Sequence, residues 1–99
     1  MKVYILTVYW LDDIEESKII AVCDTLEKAQ KILLNDLEED LQYNNYKNIE
    51  ARGITLEKSD LFEFIKKNIP IPTDYIILYN EEKYSNKYLE YNIEEKEVI

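Results

Sequence analysis

The side chains in this 99-residue chain that could do chemistry are carboxylates, tyrosines and one cysteine. Histidine is absent, and cysteine and glycine occur once each. Without histidine there is no Ser-His-Asp or Cys-His nucleophile, no histidine zinc site and no customary general base for neutral pH. One cysteine excludes thiolate zinc sites and iron–sulfur clusters. One glycine excludes the P-loop and the dinucleotide fingerprint, which need glycines where backbone meets phosphate. Cys23 ends an apolar run just before a helix start, a place that can lower a thiol pKa. It reads as a small buried hydrophobe instead. Standing alone, it forms no internal disulfide, which fits a reducing, cytoplasmic setting.

The carboxylates are concentrated. There are 21 acids against 12 bases, for a net charge of −9. Asp12, Asp13, Glu15 and Glu16 form one cluster, and Asp36, Glu38, Glu39 and Asp40 form another. Without these eight, acids and bases nearly balance. The first cluster could hold a divalent ion, but it lacks the spaced D-x-D-x-D-G pattern and its turn glycine, so it reads as a solvated hairpin tip. Paired carboxylates for glycoside hydrolysis need a cleft that a chain this small rarely has room for. The second cluster fans around the C-terminal end of a helix. Acids there oppose the helix dipole, at about 0.3–1 kcal/mol each when exposed. A sequence that keeps them can gain elsewhere, by binding. Nine tyrosines add to this. Tyr43 and Tyr46 follow the acidic helix end, and Tyr84, Tyr88 and Tyr91 cluster near the C-terminus. Tyrosine suits interfaces because an apolar ring carries a polar tip.

The elements that must position these groups follow from periodicity. Lys2 to Leu11 is β-branched and aromatic and predicts a strand, apolar on both faces and hence either central or covered on its second face by a partner. DDIEES is a polar turn, and Lys18 to Asp24 is the returning strand of a hairpin. Leu26, Ala29, Leu33, Leu37 and Leu41 form one helical stripe, with Gln30, Leu34 and Asp40 in the same arc. Asp24 or Thr25 caps this helix. Residues 42–48 read as a loop. Residues 49–58 read as an edge strand or an irregular connection, with Gly53 as a breaker. Asp60 to Asn68 is a second helix, stopped by Pro70 and Pro72. Asp74 to Asn80 and Tyr88 to Ile99 are further strands around a polar turn. The expected fold is one α+β domain over residues 1–99, an antiparallel sheet of 4–5 strands with two helices on one face, in the order ββα-loop-αββ. No apolar run approaches the roughly 20 residues that span a bilayer.

The opening, VYILT, a polar turn, then KIIAVCDTLEKAQKIL, resembles the strand–turn–strand–helix start of small uncharacterised proteins of phages and mobile elements. Asp24-Thr25 followed by Leu26-Glu27-Lys28-Ala29 carries the resemblance, which spans about the first 40 residues. It implies no activity and lends no catalytic residue. The Ile, Lys, Asn, Glu and Tyr bias looks like AT-rich coding, as in a low-GC bacterium or its phage.

The functional expectation is a non-enzymatic acidic module that binds a protein, with no cofactor. The net charge disfavours direct contact with nucleic acid, whose phosphates need Lys and Arg, and with an anionic membrane. The expected partner is a protein with a basic surface. Its sharpest form is a nucleic-acid-binding host defence protein inhibited, in anti-CRISPR fashion, by carboxylates placed where phosphates sit. Asp36, Glu38, Glu39, Asp40, Tyr43, Tyr46, Asp12, Asp13, Glu15 and Glu16 are the expected contact residues. The alternatives are a nucleotide-binding or sequestering protein and a homodimer.

Overall fold

The computed structural model describes residues 1–12, 14–43, 46–80 and 88–98, with the side chains of Asp12, Ile14 and Tyr43 outside that set. In chain order the elements are β1 (Lys2–Asp12), β2 (Ile14–Cys23), α1 (Leu26–Tyr43), β3 (Asn48–Ala51), β4 (Ile54–Leu56), α2 (Lys58–Lys67), β5 (Tyr75–Tyr79) and β6 (Tyr88–Glu97). The strands make one antiparallel sheet of six, ordered β2-β1-β6-β5-β3-β4. The α+β class stands as expected, but the 4–5 strand count and the ββα-loop-αββ order do not. Residues 48–56 are a hairpin, so the order is ββα-ββ-αββ.

That hairpin is where local chemistry defeats a breaker rule. Ala51 pairs with Ile54 across the two-residue turn Arg52-Gly53. Both turn residues have positive φ, 48° and 83°. A two-residue turn of this hand matches the strand twist, and glycine reaches it without a Cβ clash. Gly53 therefore joins two strands. The polar turn DDIEES is likewise shorter than expected, because β2 starts at Ile14 and Glu15 and Glu16 lie within it.

Alternation decides what the sheet faces. Leu6 and Val8 of β1, Ile76 and Leu78 of β5, and Leu89, Tyr91 and Ile93 of β6 share one buried cluster with Ala29, Leu33 and Leu37 of α1 and Leu61 of α2. Leu33 and Leu37 are wholly buried. Each contributes about 2 kcal/mol relative to an exposed position. Thr25 caps α1, its Oγ1 accepting the Lys28 N–H at 3.2 Å, while Asp24 pairs with Lys28 Nζ at 2.8 Å. α2 begins two residues before the expected Asp60, with Glu57 at the cap making no side-chain cap bond. It ends on Asn68 at φ 55°, whose N–H bonds the Ile65 carbonyl while Ile69 bonds Phe64. This left-handed ending turns the chain before Pro70 does.

β1 lies between β2 and β6, an interior place in the sheet. Val8 lies opposite Tyr91, and Trp10 opposite Leu89 on β6 and Glu16 on β2. These pairs set the floor on which the C-terminal half of α1 rests. Among the described residues no helix is long and apolar enough to cross a membrane.

Candidate partner-binding cleft

The last turns of α1 bring two carboxylates to the sheet. Asp36 and Asp40 stand one turn apart, so they share a side of the helix. Both point at Tyr91, whose ring is fully buried. The Tyr91 hydroxyl donates to Asp36 Oδ2 at 2.6 Å and also meets Asp40 Oδ2. A phenol has one proton and can serve one carboxylate at a time. Burial, and then these carboxylates, push the Tyr91 phenol well above the usual tyrosine range.

Around this junction lies a cleft of about 370 Å³. Asp36, Glu39 and Asp40 line it from α1, Val8, Trp10 and Leu11 from β1, and Lys18 from β2. Tyr46, Tyr88 and Leu89 complete the lining. Lys18 Nζ stands 5.9 Å from the centre of the Trp10 ring, a cation over an aromatic face. The cleft therefore joins an aromatic wall that accepts a cation to a rim of three carboxylates. Among the described residues no three acidic, cysteine or histidine side chains group to hold a metal ion.

The structure brings together only part of the expected contact set. Asp36, Glu39 and Asp40 meet at the cleft. Glu38 is half-buried beside them and does not line it. Tyr46 also lines the cleft, although it is only 6% exposed and belongs to the core cluster. The Tyr43 and Asp12 side chains, Asp13 and Tyr84 lie outside the described residues. Glu15 and Glu16 do not form a loop cluster, because strand alternation sends them to opposite faces, Glu15 opposite Leu11 and Glu16 opposite Trp10. Burial and then Glu15 raise the Tyr9 phenol on the face without helices.

Sequence reasoning missed Trp10 and Lys18 as cleft residues and Tyr91 as the partner of Asp36 and Asp40. A signal for Tyr91 was present. It alternates with Leu89 and Ile93, the buried side of the last strand, while Asp40 falls inside the apolar arc of α1. A carboxylate in an apolar arc needs a donor, and a tyrosine on the facing strand supplies one. Gln30 sits in the same arc for the same reason, its Nε2 donating to the Thr73 carbonyl at 3.3 Å.

Residues 1–64 match the family described as "Domain of unknown function (DUF7336)", and the chain belongs to that family. No curated protein and no solved structure matches it. The matched span holds Trp10, Lys18, Asp36, Glu39 and Asp40, whereas Tyr88 and Leu89 of the lining, and Tyr91, which bonds Asp36 and Asp40, lie beyond it.

Proposed function

We propose that the protein is a non-enzymatic binding module that takes a basic side chain of a partner protein into the cleft between α1 and β1. One observation carries the reading: Asp36, Glu39 and Asp40 converge beside the Trp10 ring, with Asp36 and Asp40 both held at the Tyr91 hydroxyl. A guanidinium would stack on Trp10 and give its fork of donors to the carboxylates, which Lys18 on the opposite wall does only in part. Such a partner presents the lysines and arginines with which nucleic-acid-binding proteins hold phosphate. A host defence protein met by a phage or mobile element is the proposed case, with carboxylates standing in for phosphates in the cytoplasm. A nucleotide suits this cleft poorly, because three carboxylates against one lysine repel its phosphates.

Trp10 is the sole tryptophan, so its emission reports on the cleft. Titration with an arginine-rich peptide should shift that emission. The response should fade as salt screens the carboxylates, and an acidic peptide should give none. Asp40→Asn together with Glu39→Gln should weaken the arginine response. Unchanged emission with the basic peptide, or equal binding by the double variant, would remove the reading.

A further inference from the structure

Lys18 reaches the cleft only because β2 carries an extra residue. Leu6 pairs with Ala21 and Thr7 with Ile19, so Ile20 is passed over where the register shifts. A bulge of this kind re-aims the side chains beyond it. In an unbroken ladder running on from Leu6 and Ala21, Lys18 would stand opposite Tyr9, on the face without helices. One residue of slip sets it opposite Val8 instead, on the face that bears α1. Trp10 lies opposite Glu16, so Lys18 and Trp10 are diagonal neighbours on that face, within reach of a long side chain and a broad ring.

Lys18 is exposed and lines the cleft, with its ammonium over the Trp10 ring. Among the described residues it enters no ion pair with Asp36, Glu39 or Asp40. The ring, rather than a carboxylate, is what its charge meets there. The chain's own lysine therefore stands where a guest cation would have to stack.

Given the function proposed above, on which this inference rests, we propose that Lys18 is a built-in competitor for the cleft, and that the guest able to displace it is an arginine rather than a lysine. A guest lysine exchanges one ammonium for another over the same ring and gains nothing there. A guanidinium lies flat on the indole and still turns its fork of N–H donors to the carboxylates. The resident lysine lowers the affinity of every guest by the share of molecules in which it covers the ring. A chain of net charge −9 attracts any basic surface at long range. Lys18 confines the cleft itself to guests that offer more than an ammonium.

Trp10 emission tests this on the full chain, titrated with an arginine-rich and a lysine-rich peptide of equal length and charge. Wild type should bind the arginine peptide about threefold or more tightly than the lysine peptide. Lys18→Met keeps the stem and removes the charge. It should move the emission of the free protein and tighten both peptides by one common factor, about two- to fivefold, the worth of an exposed cation over a ring. Lys18→Arg keeps the charge and stacks better, so it should weaken both peptides about twofold or more. Lys66→Met makes the same charge change at an exposed site on α2, outside the cleft lining, and should leave both within about 1.5-fold of wild type. Unchanged circular dichroism spectra show that each variant is folded. Equal tightening by Lys66→Met would reduce the effect to net charge, and unchanged or tighter binding by Lys18→Arg would reduce it to repulsion; either overturns the competitor. Peptides that bind Lys18→Met no better than wild type would overturn it too, while leaving the cleft as a site for basic side chains. Equal wild-type affinity for the two peptides would remove the preference for arginine. If neither peptide binds wild type or Lys18→Met, the function proposed above falls and the competitor falls with it.

Discussion

Tyr91 is the residue on which the cleft turns. Its ring belongs to the core and its hydroxyl to the site, so one side chain ties β6 to the acidic end of α1. Tyr91→Phe keeps the ring and removes the hydroxyl that meets both carboxylates. Buried hydrogen bonds to charged groups contribute about 1.5–3 kcal/mol, and Asp36 and Asp40 are only half-buried, so water recovers part of that. The expected loss is about 1–2 kcal/mol in urea denaturation. A loss under about 0.5 kcal/mol would mean that solvent replaces the phenol fully and that Tyr91 does not fix the pair. By contrast, the bidentate Arg52–Asp74 pair at 2.6 Å is the shortest ion pair described, yet it is open to solvent. Arg52 holds the Asp74 carboxyl below the usual range, chiefly by hydrogen bonding, but screening leaves such a pair little weight in stability.

At the scale of elements, α1 sets binding against stability. Its last turn holds no basic residue, while Glu38, Glu39 and Asp40 lie within that turn or beside it. Glu39→Lys should raise stability by about 0.3–1 kcal/mol, since a cation at a helix C-terminus is favoured where an anion is not. The same change should weaken the Trp10 response to an arginine-rich peptide. Thermal melting and the fluorescence titration together check this. A variant that is less stable, or that binds as well as wild type, would show the acids are not held there for a partner. Leu26, read as the first member of the α1 stripe, is 38% exposed at the helix start. The stripe Ala29 to Leu41 was legible because α1 is long and its burial is periodic. The β3–β4 hairpin was not, because its strands are four and three residues long and its turn is Arg-Gly rather than Asn-Gly. The acidic hairpin tip misled for a related reason: glutamates at the start of β2 sit on an edge strand, where charge is tolerated in place of a loop. Trp10 was legible as a strand residue but not as a cleft wall, because that role depends on which helix turn lies above it.

Across the whole molecule, the tyrosines give the fold a sensitivity to alkali. Burial and then Glu90 and Tyr75 push the Tyr88 phenol well up, as burial and then Asp36 and Asp40 do for Tyr91. Tyr79 is raised by its hydrogen bond to Glu50, and Tyr9 by burial and Glu15. A phenol raised in the folded state stays protonated there while the unfolded chain ionises near pH 10. Below that pH both states hold the proton and the contribution is constant. Above it unfolding releases protons, so stability falls as pH rises, by about 1.4 kcal/mol per pH unit for a fully retained proton. The loss continues until the folded-state value is passed, which for Tyr88 and Tyr91 lies far into alkali. Tyr91→Phe removes one such group, so its stability should fall less steeply than that of wild type above about pH 10, by about that slope. Urea denaturation in steps from neutral to strongly alkaline pH, with phenolate absorbance followed in parallel, measures both. Parallel alkaline slopes for the two proteins would show that Tyr91 ionises in the folded state as readily as in the unfolded chain. The closed junction between α1 and β6 would then not hold its proton as the geometry requires.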